Sequence, residues 1–235
     1  MEGFFQEKAA YRALVIGAGG TIGRAFAAIL EKDKDCIGVK RISRSINASF
    51  DLTNEAGIAQ QARNCKPQGP FDLIVDATGA LTIDGLGPEK SLNALQLEHL
   101  TRAFQINAIG PALIIRHFAG LLAPGPAIYA KLSARVGSIS DNRKGGWYGY
   151  RAAKAALNMI LQTAAIELQR KNPQLAVVAL QPGTVRSPLS QPFASQVENM
   201  LEAADSAQGM LQALKNLAPK AGAHFIDYRG QTIAW

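Results

Sequence analysis

Short apolar runs alternate with longer stretches whose apolar residues recur at helical spacing along most of the 235-residue chain. The short runs predict strands at 12–16, 36–42, a brief one ending at Phe50, Asp51 and Leu52, then 71–77, 127–132, 174–180 and 223–227. The periodic stretches predict helices at 24–30, 54–64, 97–122, a segment through Tyr150 to about residue 170, and 203–217. Pro111 falls inside the 97–122 pattern, where it should kink or interrupt the helix. Residues 188–201 mix Pro192 and Phe193 with Met200 and Leu201. That segment is too broken for core and too apolar for a free linker, and suits a lid over an apolar ligand. No repeat, low-complexity stretch or linker divides the pattern, so residues 1–235 read as a single domain.

Composition narrows the classes. With 48% hydrophobic and 18% charged residues the balance is that of an ordinary globular protein. Cys36 and Cys65 form no metal or redox spacing and no disulfide framework, which fits a reducing, cytoplasmic setting. Glu2, Glu7 and Lys8 argue against a secretory signal, and Arg116 and His117 interrupt the longest apolar run, so no membrane span is expected. The formal charge of +7 comes without a basic run longer than two or a nucleic-acid motif, and reads as attraction for an anionic small molecule. His99, His117 and His224 show no metal spacing, and no metal is expected.

The candidate chemistry lies at the ends of the predicted strands. The first runs into Gly17-Ala-Gly-Gly-Thr-Ile-Gly23 and then a helix, the context in which a glycine motif binds a pyrophosphate. Gly17 permits the turn, Gly20 the approach of phosphate, and Gly23 the packing of helix on strand, with Thr21 and Ile22 opening the helix whose N-terminus faces the ligand. About twenty residues beyond, the second strand ends at Ser43 and Arg44. An acid there would hold the ribose hydroxyls of NAD, whereas a base and a hydroxyl suit the 2′-phosphate of NADP, with Arg41 and Lys40 as helpers. Gly79, after Asp76-Ala-Thr, gives close backbone access at the next strand end. Asn107 lies among apolar helix neighbours and is either a satisfied structural amide or an organiser of water near a reacting centre. Tyr150 and Lys154, four apart in an Ala-rich helical run, emerge on one face, so the ammonium can stabilise a phenolate and fit Tyr150 for proton transfer.

The order of these motifs resembles the short-chain dehydrogenase/reductase superfamily across nearly the whole chain, and the wording of residues 132–157 and the ending Asp-Tyr-Arg-Gly-Gln-Thr-Ile-Ala-Trp resemble its sniffer and C-factor-like carbonyl reductases. Tyr150 and Lys154 match that family's Tyr-x-x-x-Lys, and Asn107 its helix asparagine. Asp51, with Leu52 beside it, matches the adenine-contacting acid, and Pro182, Gly183, Val185 and Ser187 match the Pro-Gly-x-Val-x-Thr segment. The chain departs from the pattern in its glycine spacing, in Asp76-Ala-Thr-Gly79 for Asn-Asn-Ala-Gly, and in Ala134 at the family's serine position. Ser133 is then expected to orient the carbonyl if a bulge turns it inward, with Ser138 as the alternative. The resemblance implies a doubly wound, Rossmann-like α/β fold with a mainly parallel sheet of about seven strands. It implies an NADP(H)-preferring oxidoreductase, NAD(H) being the other option, acting on a small carbonyl or alcohol substrate of apolar character. A homodimer or homotetramer follows by analogy, and no nucleic-acid or membrane partner. The alternative from another class is a cofactor-binding signalling or regulatory protein that kept the fold without turnover.

Overall fold

The computed structural model describes residues 10–187, 200–218 and 220–235. Six strands are present among them, β1 (Tyr11–Ile16), β2 (Cys36–Ile42), β3 (Leu73–Asp76), β4 (Ala127–Leu132), β5 (Leu175–Gln181) and β6 (His224–Asp227). They pair in the order β2-β1-β3-β4-β5-β6, every pair parallel. The helices are α1 (Thr21–Leu30), α2 (Glu55–Cys65), α3 (Leu97–Phe104), α4 (Gly110–Phe118), α5 (Tyr148–Gln169) and α6 (Ala203–Lys215).

Side chains that alternate along each strand build two cores, one per face of the sheet. Leu14, Ile16, Ile74, Tyr129, Val177 and Phe225 pack on one face with Ile58 of α2, Phe118 of α4 and Leu157 and Leu161 of α5. Val15, Val75, Ile128, Ala130, Val178 and Ile226 pack on the other with Phe26 and Leu30 of α1 and Met210 and Leu214 of α6. A sheet apolar on both faces needs helices on both, and the doubly wound arrangement supplies them. The chain goes outward from β1 to β2 and then crosses back to β3, so the strand order reverses between β1 and β3, where ligands lie in such sheets.

Two expectations are corrected. The sheet has six strands among the described residues, not about seven, because the stretch at Phe50, Asp51 and Leu52 is a turn. Phe50 N–H bonds to Asn47 O at 2.9 Å. Asp51 Oδ1 takes the backbone N–H of Thr53 at 2.7 Å and its hydroxyl at 2.6 Å, so these groups close a local loop rather than a ladder. The 97–122 helix is three pieces: α3, a π-helical turn at Gln105–Ile109, and α4 followed by a 3₁₀ turn. Pro111 sits in the first turn of α4, where its missing N–H costs least. Most of the apolar segment expected as a lid, 188–199, lies outside the described residues. No helix among the described residues is long and apolar enough to cross a membrane.

Candidate active site

A cleft of about 430 Å³ opens at the β1/β3 switch point. It is lined by Gly17, Gly19 and Gly20 of the first loop, Ser43, Arg44 and Ser45 after β2, Asp51 and Leu52, and Thr78, Gly79 and Ala80 after β3. Gly17 has φ +82°, and a Cβ there would lie 3.0 Å from the Ala77 carbonyl carbon. At Gly23 a Cβ would lie 2.3 Å from Gly17 O, so the loop folds back on its own helix only with glycine at both positions. Gly20 caps α1 with no side-chain hydrogen bond and no acid in the first turn, so the helix N-terminus carries no anion of its own chain. These features fit an anionic dinucleotide. Thr21, Ile22 and Gly23 belong to α1 itself and do not line the cleft.

At its outer end Arg44 is exposed and lies close enough to Asp51 to help hold that carboxyl below its usual range, after the larger effect of the Thr53 hydrogen bonds. The two other cations expected to help do not line this cleft. Arg41 is paired with Glu31, and Lys40 lines a separate hollow with Arg12. The buried Ser43 hydroxyl lies 2.9 Å from that of Ser45 and accepts from Ile46 N–H at 3.3 Å. Gly19, Ser45 and Arg102 also line the cleft and were absent from the sequence expectation. Ser45 stands one residue past Arg44, a signal that was legible. Arg102 comes from α3, far along the chain and without a motif. A wider groove of about 630 Å³ runs beside α6 and β6 and is lined by none of the expected site residues.

Past Gly79 the strand termini meet α5; Asn107, Ser133, Tyr150 and Lys154 stand beside the cleft and do not line it. Trp147, at φ 55° and ψ 42°, turns the chain into this helix. Trp147 N–H donates to Glu89 O at 2.5 Å and Gly149 N–H to Glu89 Oε2 at 3.0 Å, so a buried acid from another segment caps the helix. His99 Nδ1 stands 3.2 Å from the other oxygen of Glu89. Tyr150 follows, half-buried, its ring meeting Trp147 edge-on at 6.2 Å. Lys154 Nζ lies 5.7 Å from the Tyr150 ring centroid and donates to Leu132 O at 3.1 Å. Gly79, at φ +132°, borders both partners of this site, since a Cβ there would stand 3.0 Å from Asn107 Oδ1 and 3.5 Å from Lys154 Nζ. Asn107 is fully buried in the π-helical turn and clasps one residue with both ends of its amide, accepting from Ala80 N–H at 3.0 Å and donating to Ala80 O at 2.8 Å.

Burial pushes the Tyr150 phenol well above its ordinary value. The downward pull expected from Lys154 is not seen here, because Lys154 is itself driven down to about 7, by burial and then by the charge of Lys131, with Asp76 opposing. Ser133 is buried and donates to Asn158 Oδ1 at 2.6 Å, so its single proton is engaged one helical turn past Lys154. Ser138 is buried as well, accepting from Asp141 N–H at 3.1 Å. Pro182, Gly183 and Val185 leave the carboxyl end of β5 but do not line the cleft. Pro182 O accepts from Ser206 Oγ at 2.6 Å, Gly183 (φ +77°) packs against Leu201 and Tyr228, and Val185 bridges to Leu201. Among the described residues, no group of three or more His, Cys, Asp or Glu side chains is placed to hold a metal ion.

Known proteins share this fold. A family model described as short chain dehydrogenase matches residues 11–198. The C-signal protein of Myxococcus xanthus is 32% identical over 168 residues, covering 71% of this chain and 94% of that protein. A short-chain dehydrogenase/reductase of Burkholderia multivorans, solved with bound NADP, superposes with a TM-score of 0.79 at 25% identity, covering 96% of this chain and 100% of that one. The carbonyl reductase Sniffer of D. melanogaster shares the fold with the same TM-score at 19% identity, covering 96% of this chain and 100% of its own.

Proposed function

The chain belongs to the short chain dehydrogenase family, and on that premise we propose that it is an NADP(H)-preferring oxidoreductase interconverting a carbonyl and an alcohol, with Tyr150 as proton donor and acceptor. One observation carries the reading: Tyr150 and Lys154 share one face of α5 at the ends of β3 and β4, and Gly79 joins them to the glycine-lined cleft. When bound, the reduced nicotinamide supplies the hydride.

The residues of the chain do the rest. Gly17 and Gly20 would admit the pyrophosphate to the uncapped end of α1, and Arg44 with Ser45 would hold the 2′-phosphate. Tyr150 delivers its proton to the substrate oxygen as charge develops there; an alkoxide is a stronger base than a phenolate, so even a phenol of raised pKa gives its proton up. Lys154 contributes its positive charge to the phenolate left behind and a donor to the ribose. Asn107 fixes the Ala80 backbone and through it the inner wall of the cleft. Ser133 is read as the support of Asn158, leaving Tyr150 to act without a serine beside it. The exposed Met159 and Ile166 of α5 are where a second copy would pack. The intact pair of Tyr150 and Lys154 favours an enzyme over a regulator that binds cofactor without turnover.

The test is oxidation of NADPH and NADH by the native protein against a panel of aldehydes, ketones and quinones. Turnover on at least one carbonyl, faster with NADPH, is expected. Tight NADPH binding with no turnover across the panel would replace the enzyme with the regulator.

A further inference from the structure

Asp76 and Lys131 are paired across β3 and β4, and both are wholly buried, in positions where every neighbour on the strands is apolar. Lys131 Nζ donates to Thr78 O at 2.6 Å, Thr78 Oγ1 at 3.0 Å and Asp76 Oδ1 at 3.1 Å. The same Asp76 oxygen accepts from Thr78 N–H at 2.9 Å and Thr78 Oγ1 at 2.6 Å, and Tyr129 OH stands 3.5 Å from the other. Ion pairs this deep cost more in desolvation than their attraction commonly returns, so stability alone is a weak reason for one here.

Its position supplies a better reason. The residue after Thr78 is Gly79, at the edge of Lys154 Nζ, and the residue after Lys131 is Leu132, whose carbonyl accepts from Lys154 Nζ at 3.1 Å. Two buried ammonium groups thus hold the same pair of strand ends. We propose that Lys131 is a positioning residue for the reaction: clamped to Asp76 and Thr78, it holds the turn before Gly79 against Lys154, and the Asp76–Lys131 pair sets the charge beside the Lys154 amine. The consequence for turnover rests on the oxidoreductase reading; the electrostatic claim does not.

The other charged groups around Lys154 are turned elsewhere. Arg135, on the 3₁₀ turn packed against α5, faces Asp141 and Asp227. From α3, His99 faces Glu89 and Arg102 faces Asp84, and from α4, Arg116 and His117 face Glu55. Tyr150, on α5 itself, is neutral at ordinary pH because burial raises it. That leaves Lys131 to repel and Asp76 to attract, and the two act on Lys154 in that order after burial itself, which brings it to about 7. The sign for the reaction follows: the protonated form of Lys154 supports the phenolate, so activity that depends on it is present below this value and falls as pH rises through it.

The experiment is an NMR titration of the cofactor-free protein with 13Cε- and 15Nζ-labelled lysine, the Lys154 signal being assigned by its loss in Lys154→Met. Lys131→Met should move the Lys154 midpoint upward by about one pH unit, and Asp76→Asn should move it downward. Either single variant leaves one buried charge unpaired and can fail to fold. Lys131→Met/Asp76→Asn removes both charges and should still move the midpoint upward, since the repulsion it deletes is the larger effect. A midpoint unmoved or lowered in the double variant, or moved the same way by both single variants, overturns the proposal. Because no turnover is read, an inactive protein tests it equally. If the protein is active, the basic limb of kcat/KM for NADPH should follow each shift, whereas a purely structural role would lower the rate and leave the limb in place.

Discussion

Arg44 stands exposed on the cleft wall at the end of β2, with no acid at the strand end to compete for a ribose. Arg44→Asp should weaken NADPH binding by about 1.5 to 3 kcal/mol, the scale of a charge-assisted hydrogen bond, and change NADH binding much less. Fluorescence titration of both cofactors at one ionic strength checks it, and equal affinities in the native protein would contradict it. Arg44 was legible because the second strand ends visibly in sequence. Arg41 and Lys40 were misplaced for the same reason they were chosen: successive strand residues point to opposite sides, and proximity in sequence put three cations together that the sheet separates. Asp76 and Lys131 lie inside apolar strands far apart in sequence, and only the parallel register of β3 on β4 shows that they are paired. The serine position shows the opposite limit. An alternation argument says which face a hydroxyl takes, but not that Asn158 is waiting for the proton of Ser133.

Among the elements, α5 carries Tyr150 and Lys154, and its start depends on Glu89. The helix has no side-chain cap of its own, so the carboxylate and carbonyl of Glu89 take the N–H groups of Gly149 and Trp147. Glu89→Ala should lower stability in urea by about 1 to 2 kcal/mol, the cost of losing an N-terminal acceptor, while Glu89→Gln, which keeps an acceptor, should recover part of it. An unchanged unfolding midpoint in Glu89→Ala would contradict this role. Elements with long runs and clear punctuation were read closely from sequence, as with β2 and β4, whose bounds match the expected 36–42 and 127–132. The stretch before residue 53 misled because one buried aromatic, Phe50, beside Leu52 mimics a strand, whereas the hydrogen bonds that make it a turn belong to Asp51 and Thr53. The 97–122 pattern reads as continuous because the five residues of the π-helical turn are too few to register in the apolar period.

For the molecule as a whole, the doubly wound architecture was readable because it needs only the order of strand and helix patterns, and that order survives the loss of one expected strand. The cleft was partly readable, since a reversal of strand order between β1 and β3 brings the glycine loop to Ala77 and Gly79 wherever the helices end. What the sequence could not supply was the field: burial first, and then the charge of Lys131, bring Lys154 down to about 7. The central claim is that this assembly turns Tyr150 into the proton donor of a hydride-transfer reaction. Tyr150→Phe tests it most directly, with NADPH affinity measured by fluorescence titration and reduction of the best carbonyl of the panel followed in a single turnover. The account predicts NADPH affinity within about threefold of the native protein and a single-turnover rate lower by roughly three orders of magnitude, because only a transition-state interaction has been removed. An unchanged rate in a folded Tyr150→Phe protein would contradict it.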